Sequence, residues 1–421
     1  MTNERALFVN PRTEAPGKRF NREPPIGLLC MGAVLLERGV DVEVLDLSVS
    51  RDPERDLDRA LGHKPSHVGF TCLTNTFPIT CDLARHVRDG SDATVVFGGP
   101  HAAFAADEVL GTGLADAVVL GEGEDAIVGL VAEGRAPADV DGVACLLNGT
   151  VHRSEQQEPV DLTTLPLPAR DLLRERYDVA SIIVNRGCPY RCIYCVRQRL
   201  FATVRLRPAD LVVDELDQVA GLGYRYANLY DNINIDPRYA MGLCDAIEDA
   251  EPAIPWGCEL RADAVSAAMA RALAKAECVA VGVGVESGSE AVLRSAGKHQ
   301  RLSKVRAGIR RLKEQGIIVQ AYFVVGLPGE TGATFEKTLA FLETLGLEPG
   351  VDRVNFFAAT PYPGSTLERE AERLGVTILS REWEQYDNEH VLIGTRDLSP
   401  DQIARMLARG KELEAYYRGE G

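Results

Sequence analysis

The 421-residue sequence lacks any apolar run long enough to cross a bilayer. Residues 1–5 form no apolar signal segment either. We therefore expect a cytoplasmic protein without a membrane partner, in a compartment where thiols stay reduced. Basic residues are also fewer than acidic ones. The sequence has 46 lysines and arginines and 62 acidic residues, which gives a formal net charge of −16. This deficit argues against a nucleic-acid partner, since neutralising phosphates needs clustered lysine and arginine.

The sequence has no internal repeat, coiled-coil heptad or long low-complexity tract, which excludes solenoid and fibrous architectures. Its composition of 45% hydrophobic and 26% charged residues is that of an ordinary globular chain. At this length we expect two or three domains, each large enough to bury a core.

The cysteines lack the second cluster that a four-ligand site would require. Three of the ten, Cys188, Cys192 and Cys195, lie within eight residues, and the others are scattered singly. Thiolates select zinc, copper(I) or the iron of an iron–sulfur cluster. Structural zinc takes four ligands, often from two Cys-x2-Cys-like halves, and remains the alternative. Three thiolates on a four-iron cluster leave one iron open to a small molecule, which indicates reaction chemistry. Disulfides are not expected.

Residues 1–135 alternate short β-branched runs with helical patterns, which predicts an open parallel sheet with helices on both faces. Such sheets bind ligands at the carboxyl ends of their strands. The loops there are rich in glycine, hydroxyl and amide groups, and glycine lets backbone N–H groups approach a ligand closely. The predicted strands are Leu7–Val9, Val40–Leu45, His67–Thr71, Ala93–Phe97 and Ala117–Leu120, and the helices are Ile26–Arg38 and Ile79–Arg88.

Residues 136–180 are predicted to form a linker. Asn148-Gly149 between apolar residues is typical of a tight β-hairpin. The run Leu165–Pro168 contains two prolines, which favour an extended connector.

Residues 181–360 again alternate strands and helices, with about six βα units, which predicts a partial (β/α)6 barrel. Active residues of such barrels gather at the carboxyl ends of the strands, and we interpret each strand here as ending in a polar or glycine-rich cluster. Residues 361–421 form a C-terminal region with a final helix over Ser399–Tyr417. Its Trp383 and Tyr386 either line a substrate site or belong to the core. The predicted barrel strands are Ser181–Val184, Tyr226–Tyr230, Cys258–Leu260, Val279–Val285, Ile317–Val325 and Val351–Phe357.

The cysteine spacing, with Tyr194 just before Cys195, resembles the radical S-adenosylmethionine (SAM) superfamily. The N-terminal loops, together with Pro24–Leu29, look like the cobalamin-binding domain that precedes the radical SAM domain in one branch of that superfamily. The resemblance spans about residues 5–395. It implies a doubly wound (Rossmann or flavodoxin-like) cobalamin-binding domain, then a TIM-like partial barrel and a short helical region.

The resemblance implies that Cys188, Cys192 and Cys195 hold a [4Fe-4S] cluster whose fourth iron is chelated by SAM. Tyr194 would pack near adenine. Asp231 and Asn232 would contact the SAM amino group, although many members have Gly-Gly-Glu there. Arg261 would pair with the SAM carboxylate or, alternatively, with Asp263. The candidates for ribose and adenine contacts are Glu286, Ser287, Gly326 and Leu327.

For cobalamin, the resemblance implies contacts from the loops after the third and fourth strands. Residues 10–14 contain no histidine, so the Asp-x-His-x-x-Gly motif of many cobalamin enzymes is absent. This absence fits the radical SAM branch, which usually leaves the lower face of cobalt without a protein nitrogen, and it also fits a domain that has lost the cofactor. His101 is expected to hydrogen-bond rather than ligate cobalt. The cobalamin candidates are Asn10, Thr71, Leu73, Thr74, Asn75, Gly98, Gly99, His101, Gly121 and Glu122.

The leading functional hypothesis is a cobalamin-dependent radical SAM methyltransferase acting on an unactivated carbon of a small, biosynthetic metabolite. One SAM would methylate cobalamin, and a second would give a 5′-deoxyadenosyl radical, with an external electron donor of the flavodoxin or ferredoxin type. The second hypothesis is a non-methylating radical reaction, such as dehydration, rearrangement or cyclisation, with a cobalamin-using or vestigial N-terminal domain. The third is a non-catalytic cluster-binding sensor. No auxiliary cluster is expected.

Overall fold

The structure is a computed structural model that describes residues 4–12 and 23–420. The loop after the first predicted strand lies outside the described residues from position 13 to position 22. The chain forms two compact units. The first comprises residues 1–178 and 199–202, and the second comprises residues 179–198 and 203–421.

The first unit is built on a seven-stranded sheet in the order β2-β1-β3-β4-β5-β6-β7. Its first five strands run parallel. The central strands are apolar throughout because helices cover both faces of the sheet. The strands are β1 Arg5–Asn10, β2 Asp41–Asp46, β3 His67–Thr71, β4 Thr94–Gly98, β5 Ala117–Val119, β6 Val143–Leu147 and β7 Thr150–Arg153, and the helices are α1 Ile26–Leu36, α2 Pro53–Leu61, α3 Phe77–Gly90, α4 Pro100–Phe104, α5 Ala106–Gly111 and α6 Glu124–Ile127.

The predicted doubly wound architecture is confirmed by this strand order. The order of β1 to β5 is 2-1-3-4-5, so the direction of winding reverses between β1 and β3. In open parallel sheets, the crevice beyond the carboxyl ends of the strands at such a reversal is where ligands bind. The fold thus directs attention to the loops that follow β1 and β3.

The β6–β7 hairpin extends the first sheet. Asn148 and Gly149 both have positive φ, 52° and 78°, as a two-residue turn with the twist of the flanking strands requires. β6 pairs antiparallel with β5. The segment that the sequence assigns to a linker therefore begins with strands that are part of the first unit.

The second unit contains a six-stranded parallel sheet in the order β15-β14-β13-β12-β11-β8. Successive strands are joined by helices, which confirms the predicted partial barrel. The strands are β8 Val179–Ile183, β9 Asn185–Arg186, β10 Arg205–Leu206, β11 Tyr226–Asn232, β12 Trp256–Leu260, β13 Cys278–Glu286, β14 Ile318–Val325, β15 Arg353–Ala358, β16 Val376–Ile378 and β17 Ile393–Thr395, and the helices are α7 Arg197–Leu200, α8 Ala209–Gly221, α9 Pro237–Ala250, α10 Ala267–Lys275, α11 Glu290–Ser295, α12 Leu302–Lys313, α13 Gly332–Glu343, α14 Thr366–Arg369 and α15 Pro400–Arg418.

Alternate residues of these strands have different environments. In β14, Val319, Ala321 and Phe323 are buried in the core that the strands share with the helices. Gln320 and Tyr322, on the opposite face, are partly exposed. β15 shows the same alternation. Because side chains alternate between the two faces of a strand, the face of β14 and β15 opposite the core carries mostly polar and aromatic side chains that are partly exposed.

The two C-terminal aromatic residues belong to the core of the second unit. Trp383 and Tyr386 are both buried, and their ring centroids lie 4.8 Å apart. The Tyr386 hydroxyl donates a hydrogen bond to the Ser380 carbonyl at 3.1 Å. Of the two alternatives for these residues, the structure favours packing. Among the described residues, no helix combines the length and apolarity needed to cross a membrane.

Candidate active site

The three clustered cysteines lie on the loop between β9 and α7, and all are partly exposed. Six of the other seven cysteines are buried, and the exception is Cys81. The Cys195 N–H donates to the Cys192 carbonyl at 3.1 Å, which turns the chain between these two residues. The loop therefore presents its thiols where a ligand can reach them.

Neighbouring backbone fixes the shape of this loop. The Ile193 N–H donates to the Ala296 carbonyl at 3.0 Å, and the Ile193 carbonyl accepts from the Leu367 N–H at 2.8 Å. Gly297, just after α11, has φ of 68°, and a Cβ there would lie only 2.4 Å from the Arg191 carbonyl oxygen. Glycine at this position permits the close approach, so the cysteine loop is held against the end of α11.

The charges around the loop suit iron-bound thiolates. Burial raises the pKa of the Cys192 thiol and Glu286 acts in the same direction, while Lys298 and Arg261 act to lower it. Burial likewise raises the pKa of Cys195, which Arg197 acts to lower. Nearby cations favour the deprotonated form that a metal requires. The described residues contain no group of three His, Cys, Asp or Glu side chains converging on a single ion. A cubane cluster does not need that convergence, since each thiolate binds a different iron. The donor set fits a [4Fe-4S] cluster.

Two predicted SAM-contacting residues have strained backbones at strand ends. Asp231 at the end of β11 has φ of 88°, and Glu286 at the end of β13 has φ of 63°. The pairing register shifts beside both residues. Positive φ at a residue other than glycine costs energy and clusters at functional sites, as do β-bulges. These irregularities therefore support a functional role for the two strand ends.

Glu286 lies beside the cysteine loop, near Tyr194 of that loop, so the structure brings these predicted site residues together. The Lys298 Nζ donates to Glu286 Oε1 at 2.5 Å and to the Gly284 carbonyl at 2.8 Å. The Tyr194 hydroxyl lies near both the Cys192 thiol and the Glu286 carboxylate. Burial raises the pKa of Tyr194, so this hydroxyl stays protonated. Glu286 thus presents a buried, ion-paired carboxylate next to the thiols.

The residues at the end of β11 have protein partners. Asp231 forms an ion pair with Arg197. Burial raises the pKa of Asp231, and Arg197 opposes that rise. The Asn232 Oδ1 accepts the Asn234 N–H at 3.2 Å, and the Asn232 carbonyl accepts from Asn185 at 3.2 Å. Asp231 is therefore ion-paired with Arg197, which directly follows the cluster loop, whereas the side chain of Asn232 caps a short turn.

Arg261 forms the ion pair that was the alternative to a SAM contact. Its guanidinium donates to both carboxylate oxygens of Asp263, at 3.1 and 3.0 Å. It also stacks on the Tyr190 ring, 3.9 Å from the centroid. Asn234, which sequence reasoning missed, accepts the Arg261 N–H at 2.9 Å and donates to its carbonyl at 3.0 Å. The sequence signal that could have identified Asn234 is its place in a run of asparagines, after Asn228 and Asn232 of β11.

The remaining SAM candidates are Ser287, Gly326 and Leu327, and their surroundings differ. Ser287 is fully buried and hydrogen-bonds to Thr338 at 3.2 Å. Leu327 packs in the same apolar cluster as Tyr194, which suits a shared contact with a flat ring. The Gly326 N–H donates to Glu330 Oε2 at 2.6 Å. Glu330, which we had not singled out, therefore fixes the glycine-rich loop after β14.

In the first unit, the loops after β3 and β4 are joined through their backbones. The Cys72 N–H donates to the Gly98 carbonyl at 2.7 Å, and the Cys72 carbonyl accepts the His101 N–H at 3.1 Å. Gly99 has φ of 95°, and a Cβ there would lie 2.9 Å from the Cys72 carbonyl oxygen. A side chain at residue 99 would therefore crowd this edge of the sheet.

Most of the other cobalamin candidates border this edge without adding a charge. Leu73 is 48% exposed, unusual for a large apolar side chain beside a crevice. His101 is buried against Phe77, with ring centroids 4.5 Å apart, and burial lowers its pKa to about 4, so the imidazole is neutral. Thr74 is buried, whereas Thr71, Asn75, Gly98 and Gly121 are partly exposed. An apolar side chain beside close-packed backbone fits the edge of a bulky ligand such as cobalamin.

Two candidates at the same edge have other partners. Asn10 donates to Asp46 at 2.8 Å, and Asp46 also accepts from the Tyr177 hydroxyl at 2.6 Å. Glu122 accepts the Val160 N–H at 2.9 Å. Their side chains therefore fix the loops of the first unit, and a direct contact with a ligand stays a prediction for both.

Comparison with known families and proteins agrees with both units. The family model described as the radical SAM superfamily matches residues 182–342, and the model described as the B12 binding domain matches residues 17–131. The chain belongs to the radical SAM superfamily, in the branch whose members carry an N-terminal B12 binding domain. It is thus a radical SAM enzyme that uses a [4Fe-4S] cluster, SAM and cobalamin.

Relatives extend over most of the chain. An uncharacterised methyltransferase of Pyrococcus horikoshii is 26% identical, and the match covers 96% of this chain and 90% of that protein. The anaerobic magnesium-protoporphyrin IX monomethyl ester cyclase of Rubrivivax gelatinosus is also 26% identical, over 98% of this chain and 77% of the cyclase. The structure of the radical SAM methyltransferase TsrM from Kitasatospora setae, bound to tryptophan and a SAM analogue, shares the fold. Its TM-score is 0.79 at 22% identity, over 97% of this chain and 89% of TsrM.

Proposed function

We propose that the protein methylates an unactivated carbon of a small-molecule substrate by cobalamin-dependent radical SAM chemistry. The observation that carries the proposal is the presence of two sites on one chain. One is the three-cysteine loop, with Glu286 and Tyr194 beside Cys192. The other is the glycine-rich sheet edge within the B12-binding domain. A methyltransferase relative that matches along nearly the whole chain supports this reaction.

When bound, the cluster with SAM supplies a carbon-centred radical and cobalamin supplies the methyl group. The residues of this chain bind these cofactors and hold them in position. Cys188, Cys192 and Cys195 hold the cluster. Glu286, oriented by Lys298, accepts hydrogen bonds from ribose hydroxyls, and Leu327 with Tyr194 borders the adenine. In the first unit, Leu73 and the backbone at Gly98 and Gly99 hold the edge of the cobalamin.

One turnover of this reaction has a defined stoichiometry. The substrate C–H bond is replaced by a C–CH₃ bond. Two SAM molecules yield one S-adenosylhomocysteine, one 5′-deoxyadenosine and one methionine, and two electrons enter. The electrons must come from an external donor, for which a flavodoxin or ferredoxin is the natural class. A reduced cluster and free cysteines suit the cytoplasm.

Product analysis tests the proposal. Enzyme reconstituted without oxygen, with cobalamin, SAM and a low-potential reductant, should form S-adenosylhomocysteine and 5′-deoxyadenosine together. Cys192→Ala should abolish 5′-deoxyadenosine. Cys81→Ala, which removes a partly exposed thiol outside the loop, should leave both products unchanged. Absence of S-adenosylhomocysteine from cobalamin-loaded enzyme would overturn methyl transfer.

A second candidate is a radical reaction without methyl transfer. The observation that favours it is the similarity to the anaerobic magnesium-protoporphyrin IX monomethyl ester cyclase, which matches 98% of this chain. Its signature is 5′-deoxyadenosine without stoichiometric S-adenosylhomocysteine. The two candidates are therefore separated by the ratio of these products.

A further inference from the structure

Basic residues are concentrated in one segment of this acidic protein. Residues 291–313, which run from within α11 to the end of α12, contain eight lysines and arginines and no aspartate or glutamate. The chain as a whole has a formal net charge of −16. A run of like charges is either a solvated face or an interaction surface, and the surroundings of each charge decide between the two. The eight are Arg294, Lys298, Arg301, Lys304, Arg306, Arg310, Arg311 and Lys313.

Three of these side chains have no partner within the described part of the protein. Arg301, Lys304 and Arg306 are exposed, and within residues 4–12 and 23–420 none of them forms an ion pair or a side-chain hydrogen bond. We call these three residues the α12 basic surface. The other five side chains have partners, which are Glu286 for Lys298, Asp352 for Lys313, Glu290 for Arg294, Glu314 for Arg310 and the Val265 carbonyl for Arg311.

The first turn of α12 carries charges of the sign that a helix N-terminus disfavours. Arg301 is the N-cap residue and makes no side-chain capping hydrogen bond, and the first turn contains no acidic residue. Lys304 follows in the same turn. The helix dipole favours anions at this end, and serine, threonine, aspartate and asparagine are the preferred N-cap residues. The sequence therefore departs from local helix preference here, as proteins do at functional sites.

The segment that leads into the α12 basic surface packs against the cysteine loop. The Ala296 carbonyl accepts the Ile193 N–H at 3.0 Å. A Cβ on Gly297 would lie 2.4 Å from the Arg191 carbonyl oxygen, and Arg301 follows Gly297 by four residues. Arg191, which lies on the cysteine loop itself, is also exposed. The basic surface therefore begins beside the loop that we propose to hold the cluster.

Position and charge together select one kind of partner. The reaction takes electrons from an external donor, and a donor protein must come close to the cysteine loop to deliver them. A carrier with an acidic face is attracted to unpaired cations there, because complementary charges steer the encounter and set its orientation. A nucleic acid is disfavoured, since the net charge of −16 repels phosphates.

We propose that Arg301, Lys304 and Arg306 form the docking surface for an acidic one-electron carrier protein. The inference rests on the proposed function in one respect, since it assumes that the enzyme consumes electrons. Each encounter transfers one electron, which the carrier loses and the enzyme gains, so two encounters supply the two electrons of one turnover. Interfaces of electron-transfer complexes are small, and three cations within two turns of one helix suit such an interface.

Binding of carriers with opposite charge tests the proposal. The probes are a flavodoxin and a ferredoxin, which are acidic, and cytochrome c, which is basic. Their affinities for cluster-loaded enzyme are measured by isothermal titration without oxygen. We expect at least one acidic carrier to bind, more weakly as salt rises from about 0.05 to 0.5 M, and cytochrome c not to bind. Binding by neither acidic carrier, or binding of cytochrome c as tight as theirs, would overturn the proposal.

A charge-reversal variant locates the surface. The double substitution Arg301→Glu with Lys304→Glu should weaken binding of the acidic carrier by at least ~10-fold, because two attractions become repulsions. Glutamate suits the first turn of a helix, so we expect the variant to fold and to keep its iron. Unchanged carrier affinity in this variant would overturn the proposal.

A second double variant is the matched control. Arg405→Glu with Arg409→Glu changes the net charge by the same amount, at two exposed arginines one turn apart on α15. The partner of Arg409, Glu336 of α13, is also exposed, so the lost pair contributes little to stability. This control should bind the carrier as the wild type does. An equal loss of affinity in both variants would show a general charge effect and overturn the assignment to α12.

A change of reductant separates docking from damage to the cofactor site. Dithionite is a small molecule that needs no docking surface, so both variants should form 5′-deoxyadenosine with it at the wild-type rate. With limiting reduced flavodoxin or ferredoxin, the α12 variant should be at least ~10-fold slower than the wild type and the α15 variant should not. A similar loss with dithionite would overturn the docking role.

A short single-stranded RNA is the competing probe. If RNA binds more tightly than either acidic carrier, and this binding is lost in Arg301→Glu with Lys304→Glu, the surface is a nucleic-acid site and the proposal is wrong.

The result is separable from the fate of the proposed function. Carrier binding through α12 without S-adenosylhomocysteine formation would keep the docking surface and reject methyl transfer. Formation of S-adenosylhomocysteine with the acidic carrier at equal rates in the wild type and the α12 variant would do the reverse.

Discussion

The two sheet edges that we propose as cofactor sites differ in the groups that they present. At the edge of the first sheet, the loops after β3 and β4 offer backbone groups, glycines, the exposed Leu73 and a neutral His101. At the edge of the second sheet, ion pairs are concentrated around the cysteine loop, among them Asp231 with Arg197 and Glu286 with Lys298. The difference matches the ligands that we propose for the two edges. A macrocycle is held by shape and apolar contact, whereas a cluster with a charged cosubstrate is held by thiolates and ion pairs.

The comparison implies that the two edges respond differently to amino-acid substitutions. Replacing a charged side chain at the second edge should remove a specific interaction in a buried environment, where one unpaired partner is costly. At the first edge, few side chains carry the binding, so the largest effects should come from changes that move the backbone.

The largest effect should follow Cys192→Ala. We expect iron to fall from about four atoms per chain to a small fraction of that, and SAM cleavage to fall more than ~1000-fold, because the cluster loses one of three ligands. Iron analysis and 5′-deoxyadenosine quantification check this. Cobalamin binding should persist, since the first edge is unchanged. Full iron content in the variant would contradict the assignment of the loop.

A smaller effect is expected for Glu286→Gln. The substitution leaves Lys298 buried without its carboxylate partner, which should destabilise the second unit by several kcal/mol and weaken SAM binding by about 100-fold. Isothermal titration with SAM on cluster-loaded protein measures the second quantity. Adding Lys298→Met should restore stability but not SAM affinity. Glu314→Gln, which changes an exposed carboxylate directly after α12, is the matched control. Equal SAM binding in Glu314→Gln and Glu286→Gln would refute the ribose contact.

At the first edge, Gly99→Ala should lower cobalamin affinity about 10-fold while iron content stays unchanged. The added Cβ meets the Cys72 carbonyl oxygen at 2.9 Å. The backbone of Gly99, with φ of 95° and ψ of 174°, also lies in a region that is essentially restricted to glycine, which adds a penalty of about 1–3 kcal/mol. Gly113→Ala is the matched control, because Gly113 has φ of 71° but nothing within 4 Å of a Cβ. If the two variants bind cobalamin equally, the edge near Gly99 is not the contact.

The last expected effect is a pH dependence of stability that involves the second edge alone. Burial raises the pKa of Glu330 to about 7 from 4.5, against the opposing effect of the Gly326 and Leu327 N–H groups. The stability that Glu330 contributes is fully present below pH 4.5 and is lost as pH rises to about 7, by ~3 kcal/mol. The unfolding midpoint of the wild type relative to Glu330→Gln should fall across this window and level off above it. A difference between these two midpoints that does not change with pH would contradict the burial effect. For the control Glu336→Gln, the difference from the wild type should not change with pH.

The fold followed from the sequence to within one or two residues at most strand ends. Runs such as His67–Thr71 and Ile318–Val325 are apolar, β-branched and bounded by loops, so local pattern and tertiary burial agree. The cysteine loop could be identified equally well from the sequence, because three thiols in eight residues have few structural explanations.

The partners of the site residues could not be read from the sequence. Asp231 pairs with Arg197, 34 residues away, and Lys298 with Glu286 across the end of β13. Such pairings depend on where bulges place the strand ends, and local patterns do not encode that.

The central claim, that one chain holds two different cofactor sites, is tested most directly by the metal content of protein purified without oxygen from cells supplied with cobalamin. The account predicts about one cobalt and about four irons per chain in the wild type, and cobalt without iron in Cys192→Ala. Four irons with no cobalt in the wild type would contradict it, because the first sheet edge would then hold no cobalamin.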